Sequence, residues 1–304
     1  MSVKIIVNPA ARRGDGLRLA RELKSLAGER GDAVWVETQR AGHAVDLARQ
    51  AAEEGCSVVA AVGGDGTVHE VANGLMRAAA EARPALGVVP IGSGNDFVVG
   101  AGLRADPQEA LLSILSSRET RPLDLGRVRD NNGRDEYFVN VIGIGLDASV
   151  TYRARNMRWL RGFPMYLGAL MRAMIQDFHT PHVEIAFDDG RSVSGPAMMI
   201  AVSNGTREGG GFNITPRADI ADGVLDFAMI GPVSRARLLR IIPDVMKGTH
   251  ERHPEIRFDR VRRLGLRSRQ PLAVHFDGDM FAWHGDGVRE LDISIVPGAI
   301  RLVV

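Results

Sequence analysis

The sequence predicts a two-part α/β protein: an N-terminal half built on a mostly parallel sheet, and a C-terminal half that is mainly antiparallel β. Three observations predict it. Short apolar runs alternate with helical stripes from residue 3 to residue 115, the pattern of β-α-β units. Beyond Leu123 the runs crowd together, interrupted by two helical stripes over 164–178 and 234–246. Two glycine-rich turns, at 63–67 and 92–96, each follow an apolar run. Both therefore belong at the carboxyl ends of strands, where open parallel sheets bind ligands. Residues 1–126 are expected to form the first domain and 127–296 the second, with 297–304 returning to the first after a break at Pro297-Gly298.

The elements follow in order. A strand over 3–7 stops at Asn8-Pro9, and a loop over 10–16 carries Arg12, Arg13, Gly14 and Gly16. Leu17, Ala20, Leu23 and Leu26 space a helix, and 33–36 form a strand ending before Thr38. Ala44, Leu47, Ala48 and Ala51 mark the next helix, and 57–62 read as a buried central strand. Val68, Val71, Ala72 and Leu75 then recur at helical spacing. A strand over 86–89 leads to the second glycine turn, and Pro107 opens a helix to 115. In the second half, strands are expected over 137–142, 198–202, 224–230, 264–266, 272–276 and 291–296, with a hairpin over 183–193.

Composition narrows the function. The 304 residues carry 38 Lys and Arg against 37 Asp and Glu, so no global basic field argues for nucleic acid. A single cysteine, Cys56, excludes an internal disulfide framework and suits a reducing cytosol; it is expected to be buried and inert. No apolar run is long enough to span a bilayer, and the first strand does not read as a signal peptide.

Chemistry concentrates in the glycine turns. In Gly63-Gly64-Asp65-Gly66-Thr67 the glycines let the backbone turn sharply and bring its N–H groups to a ligand. The following helix points its positive end at the same spot, which suits phosphate. Asp65 repels a bare phosphate, a conflict that Mg²⁺ between the two removes. In Gly92-Ser93-Gly94-Asn95-Asp96, Ser93 offers a hydroxyl, while Asn95 and Asp96 can order the loop or a metal's water. All these turns are expected to converge on one crevice.

Asn8-Pro9, the stretch from Gly63 through Gly74, and Pro90 through Phe97 together resemble the diacylglycerol kinase catalytic family, which includes soluble bacterial lipid kinases and relatives of sphingosine and ceramide kinases. The likeness continues at 137–148, at 204–226 and at Asp277-Gly278-Asp279, and so covers nearly the whole chain. The resemblance implies an α/β nucleotide-binding domain, a β-sandwich lipid-substrate domain, ATP and Mg²⁺ as cofactors, and a lipid hydroxyl as acceptor. Diacylglycerol is the first expectation; a sphingoid base or another glycerolipid is the second. It carries nucleotide contacts onto Asn8, Pro9, Ala10, Ala11, Arg12, Thr38, Gly63, Gly64, Asp65, Gly66, Thr67, Val68, His69 and Ser93. It assigns Asp65, Asp96 and Asp124 to Mg²⁺ and water, the general base to Asp279, and a structural Mg²⁺ to Asp219, Asp222 and the carbonyl of Val224. Asp279 departs from the family's Glu by one methylene, about 1.5 Å of reach.

Other readings stay open. A kinase of NAD shares the first glycine turn, and a nucleotide- or lipid-binding protein without catalysis would explain Asp279. Gly143 through Ala148 imitates a dinucleotide fingerprint but lacks its acidic partner, so a packing turn is expected. His179, His182, His250 and His253 read as solvated loop histidines. Arg153, Arg155, Arg158 and Arg161 flank Trp159 and Leu160, and the apolar or aromatic Phe163, Met165, Tyr166, Leu167, Leu170, Met171 and Met174 follow. That suits peripheral contact with an anionic inner membrane surface, although most of the apolar residues are expected to face the core. A homodimer is compatible with the sequence, which carries no signal for one.

Overall fold

The alternation of β-branched runs and helical stripes becomes a parallel sheet in the computed structural model, which describes residues 2–28, 33–117, 119–155, 157 and 162–304. The chain divides into two compact units, Met1–Leu125 with Pro297–Val304, and Gly126–Val296.

In the first unit, β1 (Val3–Val7), α1 (Gly16–Ala27), β2 (Ala33–Glu37), α2 (His43–Glu53), β3 (Val58–Gly63), α3 (Asp65–Met76), β4 (Ala85–Pro90), α4 (Asp96–Gly100) and α5 (Pro107–Ser116) follow one another. The strand order is β2-β1-β3-β4, parallel throughout, and the C-terminal segment joins beside β4 at Leu302. Every residue of β1, β3 and β4 is buried, as strands covered on both faces must be. Ile5, Val62 and Val89 pack on Ala20 and Leu23 of α1 and on Leu111 and Ile114 of α5. Their neighbours Ile6, Ala61 and Leu86 are equally buried and point to the other side. There α2 buries Leu47 and Ala48, and α3 buries Val71 and Leu75. Gly74 lets these two helices meet: a Cβ on it would lie 2.4 Å from the Val45 carbonyl oxygen.

The second unit comprises β5 (Thr120–Asp130), β6 (Asp135–Phe138), β7 (Val141–Gly145), α6 (Leu146–Arg155), α7 (Gly162–Gln176), β8 (His182–Phe187), β9 (Ser192–Pro196), β10 (Met199–Ser203), β11 (Leu225–Ile230), α8 (Arg235–Lys247), β12 (Ile256–Val261), β13 (Arg263–Ser268), β14 (Val274–Phe276), β15 (Asp279–Ala282) and β16 (Glu290–Val303); the unit boundary falls inside β5 and inside β16. One antiparallel sheet runs β12-β11-β10-β7-β14-β15. β9, β8, β13 and the first half of β16 form a second. Phe138, Ile142 and Phe227 of this unit share one core with Ile185, Leu266 and Ile293, each worth about 1.5–3 kcal/mol when fully buried. Alternation along β10 sends Ile200 into that core and Met199 to the opposite face, against α7 and α8.

Several expectations change in detail. The loop over 10–16 contains a 3₁₀ turn, Ala11–Gly14, and α1 starts at Gly16. The strand expected over 137–142 is two strands, because the Asp277 carboxylate takes the N–H groups of Val139, Asn140 and Val141 out of any ladder. The strand expected from 272 begins at Val274. Pro297-Gly298 does not break the chain: β16 continues through it, with Gly298 at φ +56° and its N–H donated to Asp124 Oδ1 at 2.6 Å. α4, α6, β5, β12 and β15 are additional elements. Cys56 is half-buried, sitting in the turn before β3. His250 is buried, not solvated, with Nε2 3.0 Å from the Ile214 carbonyl oxygen.

His253 is also engaged. Its Nε2 lies 2.7 Å from Asp244 Oδ2, while Arg252 Nη2 donates to Asp244 Oδ1 at 2.6 Å. These partners fasten the end of α8 and hold the Asp244 carboxyl down at about 2. A depressed carboxylate pKa stabilises the fold above the ordinary carboxylate range, and the gain disappears as pH falls through the folded value. Asp244→Asn is expected to lower the thermal midpoint at neutral pH, and the gap to the wild type should close between about pH 4 and about pH 2. Circular dichroism melts across that range check it.

Candidate active site

β3 and β4 are neighbours, so the two glycine turns leave the sheet at the same edge. They touch: Gly64 and Gly92 pack backbone on backbone, and a Cβ on Gly92 would lie 2.4 Å from the Gly64 Cα. Ile91 N–H donates to the Gly63 carbonyl at 2.9 Å, continuing the ladder into the turns. Gly63 is bare for a second reason, since a Cβ there would sit 2.2 Å from Thr67 Oγ1. Asn95 adopts φ +54° and its Oδ1 accepts the Gly92 N–H at 3.0 Å, closing the second turn on itself. α3 begins at Asp65 after Gly64, with no side-chain cap. A helix leaves the N–H groups of its first turn without intrahelical partners, which makes that end an anion site.

The expected site residues of this unit distribute as follows. Asp65 Oδ1 accepts the Phe97 N–H at 3.0 Å, so it also starts α4. Asp65 Oδ2 and Asp96 Oδ2 both lie against Gly94, 3.3 and 3.2 Å from the point where its Cβ would stand. Asp124 is buried and receives the Gly298 amide. Asn8 Nδ2 donates to Thr67 Oγ1 at 3.0 Å and its Oδ1 takes the Ala10 N–H. Thr67, Val68 and His69 are buried behind the turn, so their side chains hold it together. Ser93, Ala10 and Arg12 are exposed, Ala11 is buried, and Pro9 and Thr38 are half-buried. Thr38 follows β2 and donates its N–H to Val7.

In the second unit, Asp277 and Gly278 form a tight turn at φ +48° and +84° between β14 and β15. Asp277 accepts three backbone N–H groups at 2.7, 2.8 and 3.1 Å, which fixes the hairpin. Asp279 is the next residue out, its side chain 45% exposed and 3.3 Å from Arg155 Nη1 of α6. Asn140 and Asn204 act as fasteners. Asn204 Nδ2 donates to the Val139 carbonyl, Asn140 Nδ2 to that of Arg207, and Gly205 N–H to that of Asn140. In the loop before β11, Asp219 and Asp222 are exposed, and each accepts a backbone N–H two residues on. Asp222 also pairs with Arg260.

Sequence reasoning missed a buried polar cluster. Gly145, at φ +82°, does turn the chain from β7 into α6, while Gly143 lies within β7; the turn carries Asp147 against His275 of β14 and Glu208. Burial pushes the Glu208 carboxyl up to about 8, with the Asp147 charge adding to it. Burial opposes a charged His275, yet the carboxylates of Glu208 and Asp147 outweigh it and raise its pKa. These residues lie far apart in sequence with no motif spacing, so only the glycines at 143 and 145 hinted at them. Asp147 and Glu208 line a mostly apolar pocket walled by Val150, Leu170, Met199, Phe212, Ile230 and Ile242.

α7 has two apolar faces. Ala169, Ala173 and Met174 are buried, whereas Leu167, Met171 and Ile175, one helical turn apart, are exposed. Arg153 pairs with Asp177, and Arg155 with Asp279. Arg158, Trp159, Leu160 and Arg161 of the expected basic cluster lie outside the described residues. Among the described residues no helix is long and apolar enough to cross a membrane.

Comparison with known proteins gives a consistent result. The family described as "Diacylglycerol kinase catalytic domain" matches residues 2–128, and that described as "YegS C-terminal NAD kinase beta sandwich-like domain" matches 140–304. A Chromohalobacter salexigens protein named "Probable lipid kinase YegS-like" is 33% identical over 87% of this chain and 81% of its own. A diacylglycerol kinase of Mycobacterium tuberculosis is 30% identical over 99% of this chain and 94% of its own. Among solved structures, a diacylglycerol kinase from Bacillus anthracis matches with a TM-score of 0.72 at 21% identity, covering 99% of this chain and 96% of that one. An NAD kinase from Archaeoglobus fulgidus solved with ATP matches at 0.54 and 15% identity, a likeness of fold alone.

The Gly64–Gly92 contact is directly testable. Gly92→Ala is expected to destabilise the protein by about 1–3 kcal/mol through overpacking, measured by denaturant unfolding. Gly94→Ala, whose Cβ meets only side-chain oxygens at 3.2 and 3.3 Å, should cost less.

Proposed function

This chain belongs to the diacylglycerol kinase family, and from that premise we propose that it is an ATP- and Mg²⁺-dependent kinase that transfers the γ-phosphate to a lipid hydroxyl, converting diacylglycerol to phosphatidic acid. The observation that carries this reading is the backbone contact of Gly64 with Gly92, beside which the Asp65 and Asp96 carboxylates lie against Gly94. Two bare turns and a helix N-terminus suit a polyphosphate, and the paired carboxylates suit a cation on it. The nucleotide would be held by Asn8 to Arg12, Thr38, Gly63 to His69 and Ser93, mostly through backbone, since Val68 and His69 side chains are buried. Asp65, Asp96 and Asp124 would order Mg²⁺ and its water. Mg²⁺ supplies charge neutralisation on the phosphates.

Asp279 is the base in this reading. Its exposed carboxylate takes the proton of the acceptor hydroxyl, the hydroxyl oxygen bonds to the γ-phosphorus, and the bond to the β–γ bridging oxygen breaks. The apolar pocket beside Leu170 and Phe212 suits an acyl chain. The exposed stripe of Leu167, Met171 and Ile175 suits peripheral contact with the inner face of the cytoplasmic membrane. Asp219, Asp222 and the Val224 carbonyl would hold the second Mg²⁺. A cation on Asp222 competes with Arg260, which already pairs with that carboxylate.

Transfer of labelled γ-phosphate to diacylglycerol in mixed micelles with Mg²⁺ tests the proposal, with NAD and a sphingoid base in parallel. Turnover on diacylglycerol is expected. Labelling of NAD alone, or of no lipid hydroxyl, would sink it. Asp279→Asn should lower kcat about 10²–10⁴-fold with KM for ATP unchanged. Wild-type turnover would also dispose of a binding-only role. Leu167→Glu combined with Met171→Glu should reduce co-sedimentation with anionic vesicles.

A further inference from the structure

We propose that Asp147, Glu208 and His275 form a buried binding site for one divalent transition-metal ion, Zn²⁺ or Mn²⁺ by its donor chemistry. The three side chains come from α6, the loop after β10, and β14. His275 is 0% exposed, Glu208 8% and Asp147 9%. One donor atom from each falls within 4.8 Å of the other two.

The geometry within the cluster is that of ligands around a common centre. His275 Nε2 stands 2.9 Å from Glu208 Oε1 and 3.3 Å from Asp147 Oδ2. At those distances an aligned N–H would make a hydrogen bond, yet Nε2 makes none, and neither do Asp147 Oδ2 and Glu208 Oε2. Leaving such buried polar atoms unpaired costs about 1–3 kcal/mol each. Ligands bound to one zinc at about 2.0–2.1 Å in tetrahedral directions stand about 3.3 Å apart, close and not aimed at each other. Gly143 provides the space, since a Cβ on it would meet Asp147 Oδ2 at 2.1 Å and His275 Nε2 at 2.2 Å.

The donor set decides the ion. One imidazole and two carboxylates offer nitrogen and oxygen with a charge that matches a divalent cation. Ca²⁺ needs six to eight oxygens, and Mg²⁺ keeps most of its water; a dry three-donor site with an imidazole suits Zn²⁺ or Mn²⁺. Three protein ligands leave one position for a further donor. Asp147 and Glu208 line the apolar pocket, so the ion would stand at its polar end. This site shares no residue with the carboxylates assigned above to Mg²⁺, and its test does not depend on kinase activity.

The full-length protein, stripped with chelator and reloaded with Zn²⁺ or Mn²⁺ alone, is passed through gel filtration and its metal content measured. One equivalent is expected to be retained, with a rise in thermal midpoint over the stripped protein and, on Co²⁺ substitution, visible d–d absorption. His275→Ala and Glu208→Gln should each weaken retention at least tenfold, while Glu53→Gln, at an exposed carboxylate of α2, leaves it unchanged. Should His275→Ala fail to fold, the wild-type loading, melt and Co²⁺ spectrum, with Glu208→Gln, still decide. Retention of no ion with no shift in midpoint overturns the proposal and leaves a metal-free ion-pair cluster. Equal retention by wild type and Glu208→Gln overturns it as well.

Discussion

Everything in the first unit depends on how closely two backbones can approach. Parallel neighbours β3 and β4 deliver their following turns to the same edge, but ordinary side chains would hold those turns apart. Gly64 and Gly92 remove the obstacle, and a Cβ on either intrudes on the other's Cα. The rest of the local sequence serves that contact. Asn95 tolerates a left-handed backbone and accepts the Gly92 amide. Asn8, at the end of β1, ties the first turn through Thr67. Asp65 takes the Phe97 amide and so couples the start of α3 to the start of α4. Three strand ends become one surface, and the helix termini gathered there favour anions.

Much of this was legible because the first unit obeys local rules. Its strands and helices repeat with clear periods, and its glycines mark turns that no other residue could make. What the sequence did not disclose was the direction of each polar side chain. Thr67 is a nucleotide contact by resemblance, and the structure packs its side chain beneath Gly63, where Asn8 engages it. Pro297-Gly298 reads as a terminator, yet Asp124, remote in sequence, takes the glycine amide and the strand continues. The run over 137–142 reads as one strand until the Asp277 carboxylate claims three of its amides. In each case a long-range partner overrides a local signal, and single-sequence patterns hold no record of such partners.

Hydrogen-bond accounting separates the motif residues of the second unit into two kinds. Asn140, Asn204, Gly205 and Asp277 spend groups on the backbone of the loops around them and fix those loops. They explain why a motif can be recognisable without touching a ligand. Asp279 is different, because it stands half-exposed and meets the charged Arg155. The cluster of Asp147, Glu208 and His275 is different again, since it is buried and poorly satisfied. Buried polar groups without partners are rare in native folds, and that rarity, not sequence spacing, makes the cluster stand out.

The substitution of Asp for Glu at position 279 has a consequence that follows from the rigidity of its hairpin. Asp277 anchors the turn by three amides, and the positive φ at Asp277 and Gly278 leaves the backbone one tight path. The strand therefore cannot advance to recover the missing methylene, about 1.5 Å. Arg155 meets the carboxylate at 3.3 Å and holds it toward α6. A base at Asp279 would act on a hydroxyl that comes nearer to β15 than a longer Glu requires, and Arg155 would have to yield for it to do so. Acceptor shape and the freedom of Arg155, more than the carboxylate's own basicity, would then govern how well this chain uses the shorter residue.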